Sequence, residues 1–137
     1  MAIILDADVI IKGEKGSFDL IGWLDSQTGQ DLEIAAITVA ELWHGVERAT
    51  AVHRAKRERY LQTVLDRLDV TAYTETTAFV HARLWADLES SGNLIGAHDL
   101  ILASIALERD SVVATLNKRH FVLVPGLRVI EPKYEPK

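Results

Sequence analysis

The chain has 137 residues, a size that suits one ordinary domain with a core that needs no disulfide or structural metal. It contains no cysteine, which excludes a thiol nucleophile, a disulfide framework and sulfur ligands for a metal. Because 15 Lys and Arg stand against 20 Asp and Glu, the formal net charge is −5, and binding of a nucleic acid would need a local basic patch or bound cations.

Two apolar runs in the first forty residues predict two buried strands with a helix between them. The run AIIL at 2–5 predicts a short strand that opens into a loop, and EIAAI at 33–37 predicts the second strand. Between them, Ser17 suits the N-cap of a helix with apolar residues at helical spacing. A further helix is expected to begin at Thr38, where the apolar stripe of TVAELWHGVERAT starts.

The remainder of the chain continues this alternation. Apolar residues at helical spacing predict helices over 51–68, over 74–92 and within 94–110. Short runs rich in strand-forming residues predict strands at 69–73, 111–115 and 127–131. The three tryptophans, Trp23, Trp43 and Trp85, occupy apolar helical positions and are therefore expected in the core.

Alternation of strands and helices predicts an α/β layer fold with a mainly parallel sheet. Residues 1–131 are expected to form one domain, and residues 132–137, which hold two of the three prolines, a C-terminal tail. No apolar stretch approaches the roughly eighteen residues needed to cross a bilayer. A soluble cytoplasmic protein without a membrane contact is therefore expected.

Polar side chains follow the predicted strands at the edge where such sheets bind ligands. Asp6 and Asp8 follow the first strand, Glu41 comes shortly after the second, and Asn117 follows the strand at 111–115. Asp99 belongs to a helix start that can face the same edge. Carboxylates held together repel each other unless a cation lies among them, and oxygen ligands suit Mg²⁺ or Mn²⁺. The sequence therefore predicts a divalent-cation site.

Each acidic residue also has a purely structural alternative. Thr38 and Glu41 fit the capping box S/T-x-x-E, in which the Glu reaches back to the N-cap amide. Asp99 would be favoured at the positive end of its helix, and Asp6 and Asp8 could cap the turn that follows them. None of these residues is specific for a metal site by itself.

Taken together, four segments resemble the motifs of PIN-domain ribonucleases, and most closely the VapC-type toxins of toxin–antitoxin pairs. The segments occur in family order and span nearly the whole chain: IILDADVII, ITVAELWHGVERA, IGAHDLILASIALE and VVATLNKRHFVLVPGLRV. The resemblance implies a three-layer α/β/α domain with a central, mainly parallel sheet of four to five strands.

The resemblance also implies roles for individual residues. Asp6, Glu41 and Asp99 match the three acidic positions that hold Mg²⁺ or Mn²⁺ in the family. Asn117 matches a fourth catalytic position that is often Asp, so one negative charge is missing and a second fully occupied metal site is in doubt. Supporting positions near the ion are Asp8, Thr38 and Thr115.

The activity implied by the resemblance is hydrolysis of an RNA phosphodiester by a metal-activated water, which leaves a 5′-phosphate and a 3′-hydroxyl. The basic side chains next to the site, Lys118, Arg119 and His120, are candidates for RNA contacts. The implied partners are a small VapB-type antitoxin, which would block the acidic pocket in a toxin–antitoxin hetero-oligomer, and a second copy of the chain in a homodimer.

Two alternatives remain open at this point. ILDADVI fits the hydrophobic-D-x-D-x-V pattern of haloacid-dehalogenase-like phosphatases, with Asp6 as nucleophile and Asp8 as acid/base. However, the strand VVAT is followed by LNKR and not by the paired acids that such an enzyme needs. The second alternative is a noncatalytic PIN-like domain with a degenerate acidic site, toward which Asn117 is the one sequence feature that points.

Overall fold

The computed structural model describes residues 1–133, in which five strands alternate with six α-helices. The strands are β1 (Ala2–Leu5), β2 (Asp31–Ala35), β3 (Asp69–Thr71), β4 (Val112–Ala114) and β5 (Arg128–Ile130). The helices are α1 (Ala7–Glu14), α2 (Leu20–Ser26), α3 (Ala36–Arg48), α4 (Ala51–Leu65), α5 (Glu75–Ser90) and α6 (Ala97–Arg109). A short 3-10 helix covers Lys118–His120. None of the helices in residues 1–133 is long and apolar enough to span a membrane.

The five strands form one sheet in the order β3-β2-β1-β4-β5, and every neighbouring pair is parallel. This confirms the predicted three-layer α/β fold, with a sheet that is entirely parallel. From the central strand β1 the chain runs first to β2 and β3 on one side and later to β4 and β5 on the other. The carboxyl ends of β1 and β4 therefore flank a switch point, where parallel sheets open a crevice for ligands.

Both faces of the sheet are covered by helices, which explains why the central strands are apolar at successive positions. Ile3 and Leu5 of β1 pack in a core with residues of α1, α2, α3 and α4. Ile4 points to the opposite face and packs with residues of α5 and α6. All three side chains are at most 5% exposed, so β1 forms the centre of the fold.

The loop expected after β1 is instead helix α1. Asp6 is its N-cap, and the Asp6 carboxylate accepts a hydrogen bond from the backbone N of Ala7 at 2.8 Å. Val9 and Ile10 are fully buried, and packing of these residues stabilises a helix of only eight residues. The next helix was also misplaced, because α2 is capped by Asp19 and not by Ser17.

The second strand ends at Ala35, two residues earlier than predicted, and α3 starts at Ala36. Thr38 is consequently not the N-cap but lies buried in the first turn, and the proposed capping box with Glu41 does not form. The interpretation of Glu41 as a capping-box residue is therefore excluded. The reason is that the alanines and Ile37 are compatible with either a strand or a helix, so the apolar run does not mark the boundary.

Two further expectations concern the core and the tail. Trp23 is buried and Trp43 packs against the same core, but Trp85 is 52% exposed and stacks on His81. Its prediction as a core residue was wrong, because α5 presents an apolar side chain to solvent at this position. Of the expected C-terminal tail, residues 134–137 lie outside the described part of the chain.

We expect Arg109→Ala to lower the free energy of unfolding by about 2–3 kcal/mol, since it would leave the buried carboxylate of Glu33 without its cation. Glu33 lies in β2 and is 4% exposed; Arg109 at the end of α6 donates to both of its oxygens, and Ser111 donates to one of them at 3.4 Å. Urea unfolding measures the change. Arg83→Ala, on the exposed side of α5, is the control, and a loss below about 0.5 kcal/mol for Arg109→Ala would contradict this assignment.

Candidate active site

The candidate site lies at the switch point between the carboxyl ends of β1 and β4. Asp6 directly follows β1, and its backbone N donates to the carbonyl of Ala114 at the end of β4, at 2.9 Å. Thr115 follows Ala114 and is fully buried. The sheet thus fixes Asp6 and Thr115 side by side through the pairing of two adjacent strands.

Thr115 connects two carboxylates. Its hydroxyl lies 2.9 Å from Oδ2 of Asp6 and 3.2 Å from Oδ2 of Asp8. Asp8 also accepts from the backbone N of Leu116, at 3.1 Å to Oδ2 and 3.3 Å to Oδ1. Asp8 therefore ties the first turn of α1 to the segment after β4, and its charge lies next to Asp6.

Burial and neighbouring charge disfavour the ionised form of Asp6. Burial is the main cause that raises the pKa of Asp6 to about 6, and the negative charges of Asp8 and Asp99 add to it. The hydrogen bonds from Thr115 and Ala7 act in the opposite direction but do not compensate. Without a cation, the site therefore holds carboxylates at a cost in free energy.

Asp99 lies in the first turn of α6, where the positive end of the helix dipole favours a carboxylate. Its Oδ2 is 3.1 Å from Nδ1 of His120. Burial raises the pKa of Asp99 and the charge of Asp8 contributes, whereas His120 lowers it. The structure thus brings Asp6, Asp8 and Asp99 close enough to interact electrostatically, as the sequence predicted.

Asn117 belongs to the same segment as Thr115. Its backbone N donates to Oγ1 of Thr115 at 3.0 Å, and its side-chain Nδ2 lies 2.9 Å from Nε2 of His120. His120 consequently joins Asn117 to Asp99. Both ring nitrogens of His120 lie against side chains of the site, and the predicted contact of His120 with RNA stays a prediction.

Glu41 lies in α3 and contacts His98, the residue that precedes Asp99 of the acidic group formed by Asp6, Asp8 and Asp99. Its Oε2 is 3.3 Å from Nδ1 of His98, and the charge of Glu41 is absent from the causes that raise the pKa of Asp6. The histidine partners His98 and His120 were not recognised from the sequence as partners of carboxylates. The position of His98 directly before Asp99 was the one sequence feature that could have identified it as a residue near the site. The spacing of His120 gave no indication of its partner.

The remaining predicted residues are Thr38, Lys118 and Arg119. Thr38 is buried one turn before Glu41 in α3. Lys118 and Arg119 are exposed on the 3-10 helix, and Arg119 lines a shallow pocket together with Asp99 and His120. The supporting role of Thr38 and the RNA contacts of the two basic residues stay predictions.

The donor set fits Mg²⁺ or Mn²⁺ in its chemistry, because it consists of carboxylate oxygens and one amide oxygen. Burial and the charges of Asp8 and Asp99 raise the pKa of Asp6, so a cation among these carboxylates would favour its ionised form. Residues 1–133 contain no group of three carboxylate or imidazole side chains already arranged to hold an ion, and Glu41 contacts His98 instead. The site thus offers oxygen ligands of the kind that these cations prefer.

A family model described as PIN domain matches residues 3–127 of the chain. A relative from Rickettsia felis named Ribonuclease VapC1 is 29% identical over 131 residues, which cover 95% of this chain and 96% of the relative. A relative from Salmonella typhimurium named tRNA(fMet)-specific endonuclease VapC is 32% identical over 96 residues, which cover 70% of this chain and 71% of the relative.

Among solved structures, the DNA-bound VapBC complex from Salmonella typhimurium contains a similar chain. The TM-score is 0.86 with 26% sequence identity, and the match covers 96% of this chain and 98% of that chain. The similarity therefore extends over nearly all the elements described above, including both strands that flank the acidic group.

Proposed function

The chain belongs to the PIN domain family, and from this premise we propose that it is a Mg²⁺- or Mn²⁺-dependent endoribonuclease toxin that acts in the cytoplasm. The observation that carries the proposal is the convergence of Asp6, Asp8 and Asp99 at the switch point of the sheet, where burial, together with the negative charges of Asp8 and Asp99, raises the pKa of Asp6 to about 6. Such a cluster is stabilised by a divalent cation and suits hydrolysis of a phosphodiester.

Asp6, Asp99 and Glu41 would hold the ion, with the oxygen of Asn117 as a further ligand. A bound ion would supply an activated water and positive charge for the phosphodiester. Thr115 orients Asp6 by donating to its Oδ2, and the other carboxylate oxygen, Oδ1, accepts a hydrogen bond from the backbone N of Ala7 at the start of α1. Glu41 would exchange its contact with His98 for the ion.

RNA is the substrate class that this proposal assigns. Lys118 and Arg119 are exposed on the 3-10 helix, and Arg119 lines the same pocket as Asp99. Both would contact phosphates, which positions a strand without reading its sequence. The local positive charge matters because the net charge of the chain is −5. The RNA target of the Salmonella relative is given by its name, but no contact described here selects one RNA over another.

A VapB-type antitoxin is the proposed partner, and a homodimer that joins two such complexes is the proposed assembly. Support comes from the similarity to the toxin chain of VapBC and from an apolar groove beside the site. The groove lies between α1, α3 and α4 and is lined by Ile10, Ile11, Leu42, Tyr60 and Leu61, together with the charged residues Glu14, Lys15, Glu41 and Arg57. A segment that fills this groove would reach Glu41 and close the site.

The phosphatase alternative has less support. Asp8 would need a free carboxyl to act as acid/base, but it accepts hydrogen bonds from Leu116 and lies next to the hydroxyl of Thr115. Family membership also favours a nuclease. The noncatalytic alternative has less support, because the charges of Asp8 and Asp99 lie close enough to raise the pKa of Asp6, an arrangement that is typical of functional sites.

Brief induction of the chain in bacteria without an antitoxin, followed by sequencing of RNA 5′-ends, tests the proposal. We expect growth arrest within minutes together with new 5′-phosphate ends at discrete positions. The Asp99→Asn variant, produced at the same level, should give neither effect. Growth arrest without new RNA ends, or equal cleavage by the variant, would contradict the proposed activity or the proposed site.

A further inference from the structure

We propose that His120 is a positioning residue that fixes the carboxylate of Asp99 and turns the side-chain oxygen of Asn117 toward the cation site. The inference rests on the proposed function, because it gives His120 a role toward the same ion. It also explains how a chain with an amide at the fourth position keeps an oxygen ligand there.

The two ring nitrogens of His120 have different partners. Nδ1 lies 3.1 Å from Oδ2 of Asp99, and Nε2 lies 2.9 Å from Nδ2 of Asn117. An ionised carboxylate can only accept a hydrogen bond, so Nδ1 carries the proton. Nε2 is then an acceptor, and it receives a hydrogen bond from the amide NH2 of Asn117.

This order of donors determines the orientation of the amide. Because Nδ2 of Asn117 points to the ring of His120, Oδ1 points away from the ring and is available as a ligand. An unanchored Asn could present either end of its amide to the site. A carboxylate at this position would attract the cation by its charge. His120 compensates for part of that missing attraction by fixing the orientation in which Asn117 offers its amide oxygen.

The segment that carries His120 is itself held in place. The backbone N of His120 donates to the carbonyl of Asn117 at 3.1 Å, and the backbone N of Asn117 donates to Thr115. Phe121, the next residue, is 1% exposed and packs in the core beneath α6. His120 is thus anchored on both sides along the chain, as a positioning residue must be.

His98 differs in this respect. In the described part of the chain it contacts Glu41 through Nδ1, and its ring nitrogens do not join two residues of the site. The side chain of Glu41 is 32% exposed and that of Asp99 is 22% exposed, so the pair of His120 and Asp99 lies deeper on the carboxylate side. We therefore assign the positioning role to His120.

Three variants separate the two contacts of His120. His120→Ala removes both contacts. His120→Asn keeps an amide donor near the place of Nδ1 and so keeps the contact with Asp99. His120→Gln places its amide near Nε2 and keeps a partner for Asn117. His53→Ala, an exposed histidine on α4, is the matched control.

The readouts are Mn²⁺ affinity without RNA, the kcat and KM of RNA cleavage, and nitrogen NMR of the metal-free chain at pH 8. We expect His120→Ala to weaken Mn²⁺ binding about tenfold and to lower kcat by a similar factor with KM unchanged. His120→Asn should recover part of the affinity. The NMR spectrum should show His120 with the proton on Nδ1.

Several results would overturn the inference. If His120→Ala binds Mn²⁺ as the parent does, or if its effect is a raised KM alone, His120 contacts RNA and does not position Asp99. A proton on Nε2 in the NMR spectrum would contradict the orientation of the Asn117 amide. Failure of the parent itself to bind Mn²⁺ would instead contradict the proposed function, so the two failures can be told apart.

Discussion

Replacement of Asp6 by Asn is expected to abolish RNA cleavage and, at the same time, to stabilise the metal-free protein at neutral pH. The loss of activity follows from the loss of a ligand for the cation. A metal contributes several kcal/mol to stabilisation of the transition state, and each 1.4 kcal/mol is a factor of ten. We therefore expect a decrease of about a thousandfold in kcat.

The gain in stability follows from the electrostatics of the site. The rise of the Asp6 pKa from 3.8 to about 6 is worth at most about 3 kcal/mol at pH 7. Asn has no charge to desolvate, and its amide can keep the contacts with Ala7 and Thr115. Because the site is partly open to solvent, we expect a gain of about 1–2 kcal/mol in the free energy of unfolding.

The pH dependence provides a check on sign. Between about pH 4 and pH 6 the folded chain binds more protons at Asp6 than the unfolded chain does, because the folded pKa is the higher one. The stability of the parent should therefore fall as the pH rises through this range. The Asp6→Asn variant lacks this pH-dependent loss of stability. Its gain in the free energy of unfolding over the parent should therefore be absent near pH 4 and fully present above pH 6.

Urea unfolding of the metal-free proteins between pH 4 and pH 8 measures this advantage, and cleavage assays measure kcat. Asp87→Asn, on the exposed side of α5, is the matched control and should change neither property. A destabilised Asp6→Asn variant would mean that Asp6 contributes more by its charged hydrogen bonds than it loses by burial. Retained cleavage would remove Asp6 from the site.

The position of the site at the switch point could be predicted from the sequence. Short apolar runs followed by polar residues identified the strands, and the topology of a parallel sheet brings their carboxyl ends together. Asp6, Asp99 and Asn117 were all placed at this edge on that basis. The pattern of apolar residues shows where a strand ends and where a helix begins along the chain. That information is enough to place residues that directly follow strands or start helices.

The partners of these residues could not be predicted in the same way. His120 reaches Asp99 across the fold, and this contact depends on the path of the 3-10 helix and on burial of Phe121. Helix α1 was missed because its short length hides the helical period and its first turn is acidic. Trp85 was misassigned because a single sequence does not tell which side of a helix lacks a neighbour.

Glu41 illustrates the limit of a motif most clearly. The spacing of Thr38 and Glu41 matches both a capping box and a metal ligand. The start of α3 at Ala36 removes the first interpretation, but the contact of Glu41 with His98 shows that the second requires a rearrangement. A site with two acids of raised pKa is expected to depend strongly on the cation.

Removal of divalent cations is expected to abolish cleavage completely, and cation binding should weaken as the pH falls. EDTA should stop cleavage, and excess Mg²⁺ or Mn²⁺ should restore it. Below pH 6 the ion must displace a proton from Asp6, whose pKa is about 6. Mn²⁺ affinity should therefore fall about fivefold between pH 6 and pH 5 and change little between pH 7 and pH 8.

Titration calorimetry with Mn²⁺ at pH 5, 6, 7 and 8 measures this dependence. Asp8→Asn is the informative variant, since the charge of Asp8 is, after burial, the largest cause that raises the pKa of Asp6. Its amide oxygen can still accept from Leu116, so the loop should stay ordered. We expect the pH at which affinity begins to fall to move lower in this variant. An affinity independent of pH in the parent, or cleavage that resists EDTA, would exclude Asp6 as a ligand or the metal mechanism as a whole.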